Sequence, residues 1–488
     1  MVVAASALFS AHAGNITPSQ AKQYAALYMA SCTGRQNISP DEMRLIHQVD
    51  NPDLGVPAAY FYNVPGGGWI IMAGTTTINP VIGYSSSNDH LDMDNLPANM
   101  RWWVDGYIGM VMEIQADDAA NGFSDSPQWQ NFLAGKVGGG SKLGEVYLMQ
   151  ENWGQGDPNQ PTYNLYCPTI PDVNTARGID STAIVGCVAT ALSQICHYYR
   201  YPEQPKGTRA YTWRNGGNKL LSITFDTISF DYSLMPNRIT SSTPMDRIRE
   251  TAKLCRAVGY AVKMNYGAGA GSGAYSDDVP DAMRKYFKYE LRNGASLRGR
   301  SATNDTGFVF SIRRELLKKN ILYMCGSSPS GGGVDAGGHA WVCAGYNTND
   351  VDMYFMNWGW NAGGNGFFNL STNDMYIPGY YYNFNANQRV LLGMVPPDSM
   401  NRFIVGIDKV DQKDQLGTAY PNPATLSVVL PYSTDRVADL NIYAIDGKLV
   451  ETRRVQAGSG EVEVSVVGMP AGVYIYRLGA AAGKFIVR

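Results

Sequence analysis

Gly186-Cys187-Val188-Ala189-Thr190-Ala191-Leu192-Ser193-Gln194-Ile195-Cys196-His197-Tyr198-Tyr199-Arg200-Tyr201-Pro202 is the stretch on which the reading of this chain turns. Val188, Ala191, Leu192, Ile195 and Tyr199 recur at three- and four-residue spacing, the pattern of a core-facing helix. Pro202 ends the run. Cys187 therefore heads a helix, where unpaired N–H groups and the positive end of the dipole favour a thiolate. Taken alone, a small cysteine packed at a helix start is the commoner case. The rest of the chain has to supply its chemical partners.

A thiolate nucleophile needs a base, usually histidine. The chain has five histidines. His12 falls in an apolar N-terminal run, and His47 and His90 precede a glycine-rich joint. His197 lies on the Cys187 helix itself, ~15 Å away along the axis. It cannot reach, so it is assigned to the surface, and Cys196 to packing. That leaves His339. Gly337-Gly338 before it let a substrate backbone approach, and Ala340-Trp341-Val342 continues as a strand. A third group should orient the imidazole. Asn347–Asp350 reads as a turn, and reflecting His339 through it lands beside Asn357 and Trp358. Asn357 can orient the ring by a hydrogen bond, Trp358 by shielding it from water. A one-residue slip of register exchanges the faces, so both stay open. For the oxyanion, the Cys187 N–H is one donor and the Gln155 side-chain amide is the candidate second.

Composition narrows the alternatives. The 488 residues suggest roughly two to four domains. The 44% apolar fraction can fill large cores, and 53 Gly with 31 Tyr point to loop- and strand-rich structure. Net charge is −3 and no basic run exceeds two residues, so a nucleic-acid partner is not expected. No apolar stretch approaches the ~20 residues of a membrane span. The seven cysteines form no Cys-x-x-Cys pair. There is no His-Glu-x-x-His site and no Gly-x-Ser-x-Gly elbow, and Gly267–Gly273 misses the phosphate-binding spacings. No metal or cofactor is expected.

Along the chain, Val2–Phe9 followed by Ala11-His12-Ala13 fits an export signal over residues 1–13 that lacks its basic start and reads as truncated. Pro18–Cys32 and Trp102–Ala116 read as helices, and Ala58–Asn63 and Gly68–Ala73 as strands. Together they suggest an α+β block over 14–142. Its glycine-rich end, Gly135–Lys142, is a joint suited to nicking. A second block covers 143–398. It holds the Cys187 helix, further helices at Asp246–Tyr260, Val279–Phe287 and Ile312–Lys319, and a sheet. The strands expected there are Ile321–Met324, Ala340–Gly345, Met353–Met356 and Gly366–Leu370. After a linker over 399–417, containing the charged Asp408–Asp414, residues 418–488 read as a small β-sandwich.

The motifs resemble those of streptopain-like cysteine peptidases. Gly186–Ala191 with Gln194-Ile195 and Tyr201-Pro202 looks like that family's active-site helix. Gly337–Trp341 and Asn357–Trp360 look like its histidine and Asn-Trp motifs. Trp153–Gln155, Tyr163-Asn164 and Cys167-Pro168 resemble its mature N-terminal region. Tyr60–Asn63, Gly67–Ile71 and Ile82–Ser85 resemble its prodomain. The resemblance implies an α+β, papain-like fold of two lobes, made as a secreted zymogen. It gives Cys187 as nucleophile, His339 as base, Gln155 as oxyanion donor, and Asn357 or Trp358 as orienting group. Gly337, Gly338, Ser272 and Gly273 would line the substrate cleft, with an apolar residue preferred at the second position before the cut. Tyr420–Ala424, Tyr443–Lys448, Pro470–Tyr474 and Lys484–Arg488 resemble the sorting domain of type IX secretion cargo. That implies export through the periplasm to the outside or the cell surface. The implied partners are peptide substrates, the chain's own prodomain as inhibitor, and the type IX machinery. Two other classes share parts of the pattern: a binding protein on an inactive peptidase scaffold, and an acyl transferase of transglutaminase type.

Overall fold

The computed structural model describes residues 14–33, 38–87, 89–122, 125–126, 129–130, 144–170, 181–267, 271–292, 296–300, 306–326, 338–348, 350, 352–370, 388–401, 415–434, 436–445, 448–479 and 481–488. The expected export signal, the joint Gly135–Lys142, Gly337 and the connector Asp408–Asp414 lie outside them. Two compact units emerge, Met1–Phe403 and Ile404–Arg488.

The first unit is built on one long sheet. Its strands are β1 (Arg44–Asn51), β2 (Val56–Asn63), β3 (Trp69–Ala73), β4 (Val81–Ser85), β5 (Glu145–Tyr147), β6 (Arg298–Gly299), β7 (Leu322–Gly326), β8 (His339–Asn347), β9 (Met353–Asn357), β10 (Gly366–Asn369) and β11 (Arg389–Leu391). They lie in the order β1-β2-β3-β4-β10-β9-β8-β7-β11-β6, with β5 on β8. All described pairings among them are antiparallel.

Helices cover both faces. α1 (Pro18–Thr33) and α3 (Cys187–Tyr199) pack on one. α2 (Ala98–Asn121) and a later helix, Thr306–Leu317, pack on the other. Strand alternation sorts the side chains. Ile70 and Met72 face the first core while Trp69, Ile71 and Ala73 face the second. Ala340, Val342 and Ala344 likewise face α3, and Trp341 and Cys343 face away from it.

The N-terminal block joins this sheet edge to edge. Phe367 pairs with Tyr84 and Phe368 with Gly83. Tyr84 stacks on Phe367 at 5.3 Å. A side chain on residue 83 would stand 2.7 Å from the Phe368 ring, so glycine is what lets the strands meet. Polar bonds reinforce the seam. Tyr28 Oη donates to Asp350 (3.1 Å), Ser86 Oγ to Glu145 (2.7 Å), and Asn347 Nδ2 to Tyr84 Oη (2.8 Å).

Beside the sheet, the helical lobe gathers α3, the helix Met245–Ala261 and a hairpin, Thr208–Trp213 with Lys219–Thr224. α3 is almost wholly buried. It ends at Tyr199, with Arg200 in the left-handed conformation. His197 corrects the sequence reading: it is buried, not at the surface.

The second unit has two sheets. One joins Gln415–Leu416, Ser427–Thr434 and Gly458–Ser465. The other orders Leu449–Val455, Ala438–Ala444, Gly472–Leu478 and Ala481–Val487. Val428, Leu430, Leu440, Ile442, Tyr476 and Phe485 form its core. The composition reading of a β-sandwich matches.

Candidate active site

Cys187 is the first residue of α3, and Gly186 caps it at φ 86°. A side chain at 186 would come within 2.8 Å of the Ser272 carbonyl oxygen and 2.9 Å of the Met264 thioether. Space and backbone conformation together require glycine before the cysteine. The residue as a whole is half-buried. Three backbone N–H groups favour the charged form of its sulfur: its own, that of Val188 and that of Ala340. Burial still raises the thiol pKa above its ordinary value, the three donors notwithstanding. Desolvation thus opposes the thiolate that the helix N-terminus favours.

His339 opens β8 and immediately precedes Ala340, whose N–H favours the charged form of the Cys187 sulfur. Its ring is half-buried, and that burial lowers its pKa. Burial pushes the thiol up and the imidazole down, each toward its neutral form.

Gln155 is buried on the segment Trp153-Gly154-Gln155. Its carbonyl accepts the Val185 N–H (2.9 Å), two residues before the nucleophile. Trp153 fixes the other end. Its N–H donates to Gln194 Oε1 (3.1 Å), its carbonyl accepts the Asn361 N–H (3.2 Å), and its indole donates to the Pro236 carbonyl (2.9 Å). The segment is thus pinned beside the start of α3.

The two orienting candidates separate. β8 runs on to Asn347 and β9 starts only at Met353, so the turn is centred further along than the reflection assumed, and Asn357 stands opposite Val342 rather than His339. Its carboxamide donates to the Glu151 carbonyl (2.6 Å) and to Gln194 Oε1 (3.1 Å), and accepts from Gly359 N–H (3.0 Å). Trp358 turns to the other face. Its ring lies 5.4 Å from Trp341 and 6.4 Å from Trp103 of α2, and its indole donates to the Gly364 carbonyl (3.0 Å).

Of the cleft candidates, Gly338 is exposed. Gly273 bridges to Asn265, and a side chain there would meet open space. The Ser272 hydroxyl is turned inward, donating to the Ile184 carbonyl (2.6 Å) and accepting the Gly267 N–H (2.9 Å). It holds the loop's shape rather than offering a group to substrate. Among the described residues no cluster of His, Cys, Asp or Glu suits a metal ion.

Sequence reasoning gave no role to two groups on α3. Gln194 ties Trp153 to Asn357. His197 Nδ1 pairs with Glu151 Oε1 at 2.7 Å, and its Nε2 faces the Met235 carbonyl at 3.2 Å. The signal was present as a polar stripe, Thr190, Gln194 and His197, at helical spacing on a helix with no exposed face.

A half-buried cysteine thus heads a helix, and the strand that opens with His339 lies against that helix. Three family models match parts of the chain. Residues 153–368 match the Peptidase C10 family, 13–110 the Spi protease inhibitor family, and 418–488 the secretion system C-terminal sorting domain. Residues 153–368 are thus similar to the Peptidase C10 cysteine peptidases, with an inhibitor-type stretch before them and, after them, a sorting domain that marks the chain for type IX export.

Similar proteins agree. The chain is 27% identical over 399 residues to the thiol protease/hemagglutinin PrtT of Porphyromonas gingivalis, covering 79% of this chain. It spans 42% of that protein's length. It is 26% identical over 390 residues to streptopain of Streptococcus pyogenes serotype M1, covering 77% of this chain and 88% of streptopain. A fragment of Prevotella intermedia prointerpain A superposes with a TM-score of 0.54 at 24% identity, over 73% of this chain and 99% of the fragment. No helix among the described residues is long and apolar enough to cross a membrane.

Proposed function

We propose that this chain is the zymogen of a cysteine endopeptidase in which Cys187 attacks a peptide carbonyl. The observation that carries the reading is the meeting at the sulfur: the first N–H groups of α3 on one side and Ala340, next to His339, on the other. His339 takes the thiol proton and passes it to the leaving amine. The Cys187 carbon–sulfur link is then a thioester, which water hydrolyses with His339 as base. The Cys187 N–H and the Gln155 amide stabilise the oxyanion.

Asn357 acts as an anchor, since its amide is taken up by Gln194, Glu151 and Gly359. Trp358 is the shielding group. It packs on Trp341, two residues along β8 from His339. A substrate-like thiol-directed inhibitor should label Cys187 stoichiometrically after maturation. Failure to label it would leave the inactive-scaffold reading standing. In a mixture of peptide and free amine, hydrolysis products rather than new amides are expected.

Gln155→Ala should lower kcat by about 10²–10³-fold with KM nearly unchanged, because the amide meets charge that develops only in the transition state. Steady-state kinetics on a peptide amide decide this. A loss confined to KM would remove Gln155 from the oxyanion hole.

The prodomain is held by strand pairing, so maturation requires a cut followed by separation of that seam. The cut is proposed within 135–142. Gly83→Val would drive a side chain into Phe368 and cost about 1–3 kcal/mol at the seam. Self-processing of the full chain, followed on gels, should then run several-fold faster. An unchanged rate would show that release of the β4–β10 seam does not limit maturation.

A further inference from the structure

We infer that Gln194 is a positioning residue: its buried carboxamide sets the oxyanion segment and the Asn357 turn against the nucleophile's helix. The inference rests on the roles proposed above for Cys187 and Gln155.

Residues 187 and 194 lie two turns apart on one stripe of α3, ~10 Å along the axis. Gln194 is fully buried. A buried amide is costly unless its groups are bonded, and this one has three partners. Oε1 accepts the Trp153 N–H (3.1 Å) and Asn357 Nδ2 (3.1 Å). Nε2 faces Asn357 Oδ1 at 3.4 Å. Asn357 in turn holds the Glu151 carbonyl and the Gly359 N–H. Two chain segments, 151–155 and 357–359, are therefore fixed to α3 through a single side chain. Packing supports the same seam: a side chain on Gly359 would sit 3.1 Å from Thr190, one turn earlier on α3.

The consequence is specific. The Gln155 amide is two residues from the Trp153 N–H that Gln194 holds. Without that bond the segment relaxes, and a displacement of ~1 Å at a catalytic group can cost about 10²-fold in rate. The nucleophile itself is held separately, by the start of α3 and by Ala340. Loss of Gln194 should thus separate two properties that a merely structural defect would lower together: transition-state stabilisation and the ground-state reactivity of the thiol.

The test uses the full chain, processed in trans by immobilised wild-type enzyme and counted by active-site titration, so that only folded protein is scored. For Gln194→Met we expect kcat down about 10²-fold, with KM and the rate of Cys187 alkylation by iodoacetamide each within about twofold. Gln194→Glu keeps the acceptor for Trp153 but loses the donor to Asn357, and should lose about tenfold in kcat. Wild-type kcat in Gln194→Met overturns the inference, as does a parallel fall in kcat and alkylation. Should Gln194→Met not fold, Gln194→Glu decides alone, and wild-type kcat there is the overturning result. Failure of the underlying reading shows separately, as wild-type activity that survives complete alkylation of Cys187.

Discussion

Cys187→Ala should leave a folded chain that neither hydrolyses peptides nor processes itself. Removal of a protease nucleophile costs on the order of 10⁶ in kcat, because the residual oxyanion donors and binding contacts cannot supply an attacking atom. The substitution takes out one sulfur of a half-buried residue at a helix end, so the melting temperature should move little. The variant should stay at full length on storage. It should yield to added wild-type enzyme, which cuts the joint in trans. Mass spectrometry of the purified variant, with and without that addition, reads both outcomes. A variant that matures unaided would show that another peptidase makes the cut, and one that still turns over substrate would place the nucleophile elsewhere.

That Cys187 heads a helix was legible because apolar spacing and a Gly–Cys start are local signals. The geometric need for Gly186, which arises from Ser272 and Met264, could not be seen, since both lie more than seventy positions away. His339 was reached by counting, which works when histidines are few. The reflection across the hairpin failed by about two residues because the turn lies between Asn347 and Met353 rather than within Asn347–Asp350, and polar residues on both sides hide where the strand ends. His197 was assigned to the surface because a polar residue on a helix usually belongs there. Its partner Glu151 is remote in sequence and only the fold brings the two together.

Strands show the same division. Val56–Asn63, Trp69–Ala73 and Met353–Asn357 begin or end within two residues of their expected spans. Val81–Ser85 was missed: it is short, contains glycine, and is buried on both faces, so no alternation marks it. Leu449–Val455 was missed for the opposite reason, being a largely exposed edge strand with charged residues throughout. Yet Val81–Ser85 is the strand that joins the prodomain to the catalytic sheet. The inhibitory arrangement is thus the part of the molecule least visible to a reading by pattern.

His339→Ala should cost about 10⁴-fold or more in kcat and should also change the pH dependence of the thiol. In the full chain burial raises the Cys187 pKa and lowers that of His339. Between those two values the pair is thiol and neutral imidazole, which is the unreactive form. For the mature enzyme to work near neutral pH, the pair has to become thiolate and imidazolium. Exposure to water favours this by relieving both penalties. The sign follows from the thiolate requirement. With an imidazolium beside it, the thiol ionises at low pH, so alkylation of the mature enzyme should stay nearly constant from about pH 8 down to pH 5. Without His339, the rate should fall about tenfold for each unit below the raised thiol pKa. The unprocessed chain should behave like the His339 variant. At pH 6 mature enzyme should outpace it, though by less than the difference in thiolate fraction, because a thiolate of lower pKa is also a weaker nucleophile. Iodoacetamide rates measured from pH 5 to pH 9 on the three proteins would decide. A flat profile in His339→Ala would mean that the helix N-terminus alone ionises Cys187. A flat profile in the unprocessed chain would mean that the pair is already charged before the prodomain leaves.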